Sequence, residues 1–322
     1  MNSDTIAIPS AEKFKGVIAP TLLPLAEDKT IDYKSLDCQL DFLLAGKVDG
    51  IWVNGTTGEF FALTDSERSE VIEASVKGVA RRAIVIAHVG DTSTRKTLIH
   101  GARAVEAGVD CVSVVPPYYM TYSQTELKQH FRTISKELGI PIFLYQIPQT
   151  CKVSLTISSI IELAREGVLI GIKDSAGDVD FYHSLLREVA KAKVNLRCFY
   201  GVSSLVDMGL YASGHGVMSA IANLVPHLCK QACEQAEESN WSAVHEINLQ
   251  ILQLMDTLHL PGRQGMTPLV AAYKWILKEL GIIATNKVFA PLQPLTKEEQ
   301  TLLYNTALPL AKKLCADVLE HA

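Results

Sequence analysis

Val168-Leu169-Ile170-Gly171-Ile172-Lys173-Asp174-Ser175-Ala176-Gly177-Asp178 opens as an apolar run, delivers a lysine at its end and passes into a polar turn. A short run with no polar alternation is the pattern of a strand buried on both faces, as in a parallel sheet covered by helices. Seven further apolar runs, at 17–19, 50–53, 83–87, 111–115, 141–145, 196–200 and 216–219, share that character. Between them lie segments of helical periodicity, such as Tyr33 to Leu44, Thr94 to Val105 and Glu126 to Leu138. Gly108 and Gly139 stand where such helices would end, as C-cap glycines do.

Eight strands alternating with helices predict an α/β fold closed as a (β/α)8 TIM barrel. After about residue 225 the strand pattern stops, and helices are expected around 226–239, 241–258, 266–280 and 297–319. Leu260-Pro261-Gly262 and Ala290-Pro291 break the series. The chain therefore reads as a barrel over 1–238, with 1–14 as an N-terminal tail, and a C-terminal helical domain over 239–322. No flexible linker separates the two.

The composition agrees with an enzyme of ordinary charge. The chain has 322 residues and a formal charge of -5, with a pI near 6.0, so no basic surface for nucleic acid is expected. No apolar stretch reaches the roughly 18–20 residues of a membrane span. Met1-Asn2-Ser3-Asp4-Thr5 shows no basic segment leading into an apolar one, so no signal peptide is read there. Seven scattered cysteines read as reduced thiols of a cytoplasmic protein. Cys229 and Cys233 lie four apart near His227, but with no fourth ligand nearby they read as packed thiols, and no metal is expected.

Lys173 is the residue on which function turns. An amine with a pKa of about 10.4 is almost wholly protonated at pH 7. Burial at the mouth of an apolar strand can remove roughly 3–4 kcal/mol from the stability of the charged form and leave a nucleophile suited to a Schiff base with a ketone. The alternative is a strand-end lysine that carries its charge out to water. Gly55-Thr56-Thr57-Gly58 follows the strand at 50–53, and its successive N–H groups and hydroxyls suit a carboxylate; plain turn chemistry is the alternative. Thr64-Asp65 offers an N-cap for the helix that follows. Tyr145 ends the strand before the one that carries Lys173, and its phenol is placed either to move protons or to sit as a satisfied core hydroxyl. In a barrel, the turn after strand two, Tyr119 after strand four, Tyr145 and Lys173 all fall at the C-terminal ends of strands, where the active sites of this architecture lie.

Gly55-Thr56-Thr57-Gly58-Glu59, Pro116-Pro117-Tyr118-Tyr119, Tyr145-Gln146-Ile147-Pro148 and Gly171-Ile172-Lys173-Asp174, in this order, resemble the dihydrodipicolinate synthase / N-acetylneuraminate lyase family over nearly the whole chain. The resemblance implies a class I, pyruvate-dependent aldolase, a homotetramer built as a dimer of dimers, with no cofactor. It implies that Lys173 forms the Schiff base with a 2-oxo acid, that Tyr145 relays protons through a chain including Thr56, and that the backbone of Thr56 and Thr57 holds the carboxylate. Tyr119 matches a tyrosine that crosses into a neighbouring subunit's site. Gly201 and the carbonyl of Met218 fall on pocket positions.

The departures concern the second substrate. Where the synthases carry an arginine five residues after the strand-five tyrosine, this chain has Thr150, and a neutral hydroxyl cannot replace a bidentate carboxylate partner. Gly201-Val202-Ser203-Ser204 lacks the acids that follow this glycine in the synthases and sialic acid lyases. Phe60, Phe61, Asp65 and Arg68 replace the pattern tied to lysine feedback, so none is expected. Gln146 stands for an asparagine without consequence for chemistry. Ser175 and Ser203 are suited to substrate hydroxyls. Asp91, Asp178 and His215, assigned to the mouth, read as caps or surface groups. The expected activity is cleavage of a 2-oxo-4-hydroxy acid, such as a 2-keto-3-deoxy sugar acid, to pyruvate and an aldehyde. A Schiff-base dehydratase, a dihydrodipicolinate synthase and a non-catalytic 2-oxo-acid sensor are the alternatives.

Overall fold

The computed structural model describes residues 11–320. The reading of Met1 to Thr5 as free of a signal peptide, and most of the tail assigned to 1–14, lie outside those residues. Strands β1 (Gly16–Pro20), β2 (Gly50–Val53), β3 (Ile84–His88), β4 (Cys111–Val114), β5 (Ile142–Gln146), β6 (Leu169–Asp174), β7 (Arg197–Tyr200) and β8 (Gly216–Val217) form a closed barrel in chain order. All neighbouring pairs are parallel, and β1 closes on β8 through Gly16 and Gly216. The fold is the expected (β/α)8 barrel with further helices at its C-terminal end.

Alternation along each strand divides the side chains into two sets. Val17, Ala19, Ile51, Val53, Val85, Ala87, Val112, Val114, Leu144, Ile172 and Tyr200 point outward into one continuous core beneath the helices. Ile18, Trp52, Ile86, Cys111, Phe143, Tyr145, Phe199 and Met218 fill the barrel interior. Both sets are buried, which is why the strands read as unbroken apolar runs. Near the barrel axis Gly171 leaves room for the ring of Phe143: a Cβ there would lie 2.3 Å from it. A register shift between Ile142 and Phe143 precedes this contact, and beyond it Tyr145 pairs with Lys173.

Residues 11–14 are not a loose tail. Ala11–Lys13 form a 3-10 turn, and Phe14, fully buried, packs its ring 5.2 Å from that of Phe143. Phe143 in turn lies 5.9 Å from Phe199, so an aromatic layer floors the barrel. The helix after β2, Asp65–Val79, starts where the sequence indicates: Thr64 and Glu67 form a reciprocal capping box. The long helix expected over 297–319 is instead two, Lys297–Asn305 and Ala307–Leu319, parted at Thr306. Pro309 explains the break: without an N–H it fits the first turn of a helix but not its interior. Among the described residues no helix is long and apolar enough to cross a membrane.

Candidate active site

The C-terminal ends of β2, β5 and β6 bring Trp52, Tyr145 and Lys173 together inside the barrel. Tyr145 and Lys173 are register partners on adjacent strands and face the same side. The Lys173 amine lies 4.5 Å from the centre of the Tyr145 ring and 4.6 Å from that of Trp52. It is buried, and among the described residues it pairs with no carboxylate. Burial, with no anion to offset it, brings its pKa down to about 7. The two rings favour the ammonium form, but they replace only part of the hydration that is lost. The lysine does not carry its charge out to water.

The Tyr145 hydroxyl lies 3.3 Å from the Thr56 hydroxyl. Burial pushes its pKa up to about 12, with the Thr56 bond and the Ser175 side chain opposing that shift, so it enters any reaction as a neutral phenol. Ser175 is held over the amine side of the pocket. A Cβ added to Gly201 would meet the Ser175 Oγ at 2.2 Å and the Lys173 Cε at 3.1 Å, so glycine alone fits at that wall. Among the described residues, the N–H groups of Thr56 and Thr57 donate to no protein acceptor. Two adjacent donors beside a buried amine make a cradle for a carboxylate.

Other residues singled out in the sequence stand differently. Tyr119 is 84% exposed, in left-handed backbone at φ 91°, and does not reach the site within one chain. The Thr150 hydroxyl donates to the Ile147 carbonyl at 3.1 Å, within the short helix Pro148–Cys151. Ser203 is hydrogen-bonded to the buried Ser219, a partner within the chain for the hydroxyl assigned to substrate. Met218 turns its side chain into the interior cluster with Trp52 and Tyr145, whereas the resemblance concerned only its carbonyl. Gln146 faces away and ties the end of β5 to both the N–H and the carbonyl of Leu155. Asp178 caps the helix Val179–Ala192, and Asp91 pairs with Arg68 at 3.2 Å. His215 is not at the mouth. It precedes β8, at the opposite end of the barrel, where its Nδ1 accepts the Cys198 N–H.

Three features of the site escaped the sequence reading. Trp52 walls the amine, although its strand read simply as apolar. His88 is fully buried on the inward register of β3, its Nδ1 3.0 Å from the Ser113 hydroxyl and its ring 5.8 Å from that of Tyr145. Burial, helped by the nearby Arg68 and Lys173 cations, holds its pKa well below the ordinary value, so the imidazole is neutral. A polar residue two positions beyond Ile86, at a strand's C-terminal end, was the available signal. Glu59 and Lys274 form a fully buried ion pair beneath the Thr56-Thr57 turn. A surface cleft of about 760 Å³ between the first two long helices, lined by Asp41, Glu70, Lys77 and Arg82, shares no residue with this site.

Comparison with known proteins places this arrangement. Residues 13–308 match the model of the dihydrodipicolinate synthetase family. A 4-hydroxy-tetrahydrodipicolinate synthase of Neisseria meningitidis serogroup B is 32% identical over 286 residues, covering 89% of this chain and 95% of the relative. One from Staphylococcus carnosus is 35% identical over 213 residues, 66% of this chain and 71% of the relative. Among solved structures, YagE, a prophage protein of E. coli K12 described as belonging to the dihydrodipicolinic acid synthase family and solved in complex with pyruvate, superposes with a TM-score of 0.87. It is 26% identical and covers 94% of this chain and 99% of its own. With 296 consecutive residues matched, from 13 to 308, the chain belongs to the dihydrodipicolinate synthetase family.

Proposed function

We propose that the protein is a Schiff-base lyase that cleaves a 2-oxo-4-hydroxy acid, such as a 2-keto-3-deoxy sugar acid, to pyruvate and an aldehyde. The observation that carries this reading is the register pair of Tyr145 with a buried Lys173 whose pKa is about 7. About half of such amines are neutral at pH 7, against roughly one in a few thousand for an unperturbed lysine. The neutral amine adds to the C2 ketone, and loss of water leaves an iminium at C2. The C3–C4 bond then breaks, its electron pair moving into the iminium as the C4 hydroxyl gives up its proton and the aldehyde departs. The resulting enamine takes a proton at C3, and water releases pyruvate and the free amine.

Tyr145 is the group we assign to these proton movements, with Thr56 as its hydrogen-bond partner. The donors of Thr56 and Thr57 are assigned to the substrate carboxylate. Thr150 and the uncharged Ser203-Ser204 segment favour a neutral, hydroxylated second half over one that carries a carboxylate.

A second reading, condensation of pyruvate with an amino-acid aldehyde, is favoured by the names of the relatives above. Incubation with pyruvate, reduction with borohydride and peptide mass spectrometry test the shared chemistry: a pyruvate adduct on Lys173, absent in Lys173→Ala, is expected. Turnover then separates the readings. Faster condensation of pyruvate with aspartate semialdehyde than cleavage of 2-keto-3-deoxy sugar acids would overturn the lyase assignment.

A further inference from the structure

The helix Met266–Glu279 lies outside the barrel in sequence, yet one residue on it, Lys274, reaches a loop of the catalytic end. Lys274, with no exposure, donates to the Glu59 carboxylate and, at 2.8 Å, to the Lys287 carbonyl. Glu59, equally buried, accepts the Phe289 N–H at 2.8 Å. Its backbone is left-handed at φ 54°, and its N–H donates to the Thr56 carbonyl at 3.2 Å. The ion pair thus ends on the turn that carries the Thr56 and Thr57 N–H groups, which donate to no protein acceptor among the described residues.

We propose that this helix is a positioning element of the active site, with Lys274 setting the carboxylate cradle through Glu59. Lys274 does not touch the reacting atoms; it governs how pyruvate is held. The inference rests on the assignment of the Thr56-Thr57 turn to the substrate carboxylate. A tie between helix and loop by charge is demanding because each charge is fully desolvated and satisfied only by its partner and nearby backbone groups.

The test is borohydride trapping of Lys173 across a range of pyruvate concentrations, with folding followed by circular dichroism. Lys274→Met is expected to raise the half-saturating pyruvate concentration by about tenfold to a hundredfold, the scale of a displacement near 1 Å, while reaching full labelling at saturation. Glu59→Met/Lys274→Met removes both charges together, avoids a stranded carboxylate and is expected to fold with the same rise. A folded Lys274→Met or double variant that saturates at the wild-type pyruvate concentration overturns the proposal while leaving the Schiff-base reading intact. No adduct in the wild type overturns the Schiff-base reading, and the proposal with it.

Discussion

Lys173 and Lys274 are both withdrawn from water, at 5% and 0% exposure, yet they are surrounded differently. Lys173 lies between the rings of Trp52 and Tyr145 with no carboxylate partner, and burial alone sets its pKa near 7. Lys274 meets Glu59 directly; burial pulls its amine below the ordinary value, and the carboxylate works against that pull. One lysine is therefore buried without an anion and the other is half of an ion pair. Burial makes a lysine unusual in either case, but the presence or absence of an anion decides whether it becomes reactive or structural.

The contrast is sharpened first at Tyr145, the other wall of the unpaired lysine. Tyr145→Phe keeps the ring against the amine and removes only the hydroxyl shared with Thr56. Trapping of pyruvate on Lys173 is expected to survive, while turnover falls by about 10²–10⁴-fold, the range for loss of a general acid-base group. Equal loss of trapping and turnover would show that the phenol serves to hold the amine and not to move protons.

Replacing each lysine by methionine sets the two against each other in a thermal melt. Lys274→Met strands the Glu59 carboxylate in the interior and is expected to destabilise the fold by about 3–5 kcal/mol. Lys173→Met removes a group that burial disfavours, and is expected to stabilise by on the order of 5 kcal/mol at pH 6. The sign follows from proton binding. The unfolded chain holds the Lys173 proton up to about pH 10.5 and the folded chain only up to about 7. Between those values the unfolded state binds more protons, so wild-type stability rises with pH. The methionine advantage should therefore be complete below about pH 7 and fade toward pH 10.5. A pH-independent gain would place the effect in packing.

The smallest expected effect concerns free lysine as a ligand. Arg68, itself 4% exposed, already sets a guanidinium 3.2 Å from Asp91 and also donates to the carbonyls of His88 and Gly90. Lysine is expected to leave the melting temperature unchanged, and a saturable rise would show a cation site that this arrangement does not provide.

What was legible in the sequence follows from the range of each interaction. The eight strands stood out because both their faces are buried, and Lys173, Tyr145 and the Thr56-Thr57 turn were conspicuous as polar groups at the ends of such runs. That Tyr145 stands directly opposite Lys173 was not legible, because the register shifts at Ile142 and Phe143. His88 was lost because the strand run was closed one residue early, at 87. The pairing of Ser203 with Ser219 was not legible because it joins the turn after β7 to the residue beyond Met218, sixteen positions away. The break at Thr306 was readable from Pro309, had the proline been taken as the start of a helix.

The pairing of Glu59 with Lys274 has a consequence for how the protein is made. The two residues are 215 positions apart, and every strand of the barrel is complete by Val217. A nascent chain that has just finished its last strand has all of Thr56, Tyr145 and Lys173 but not the cation that the carboxylate under the turn requires. Glu59 therefore gains its partner only once the helix that carries Lys274 has been made, so a chain released before it would hold Thr56, Tyr145 and Lys173 without this tie.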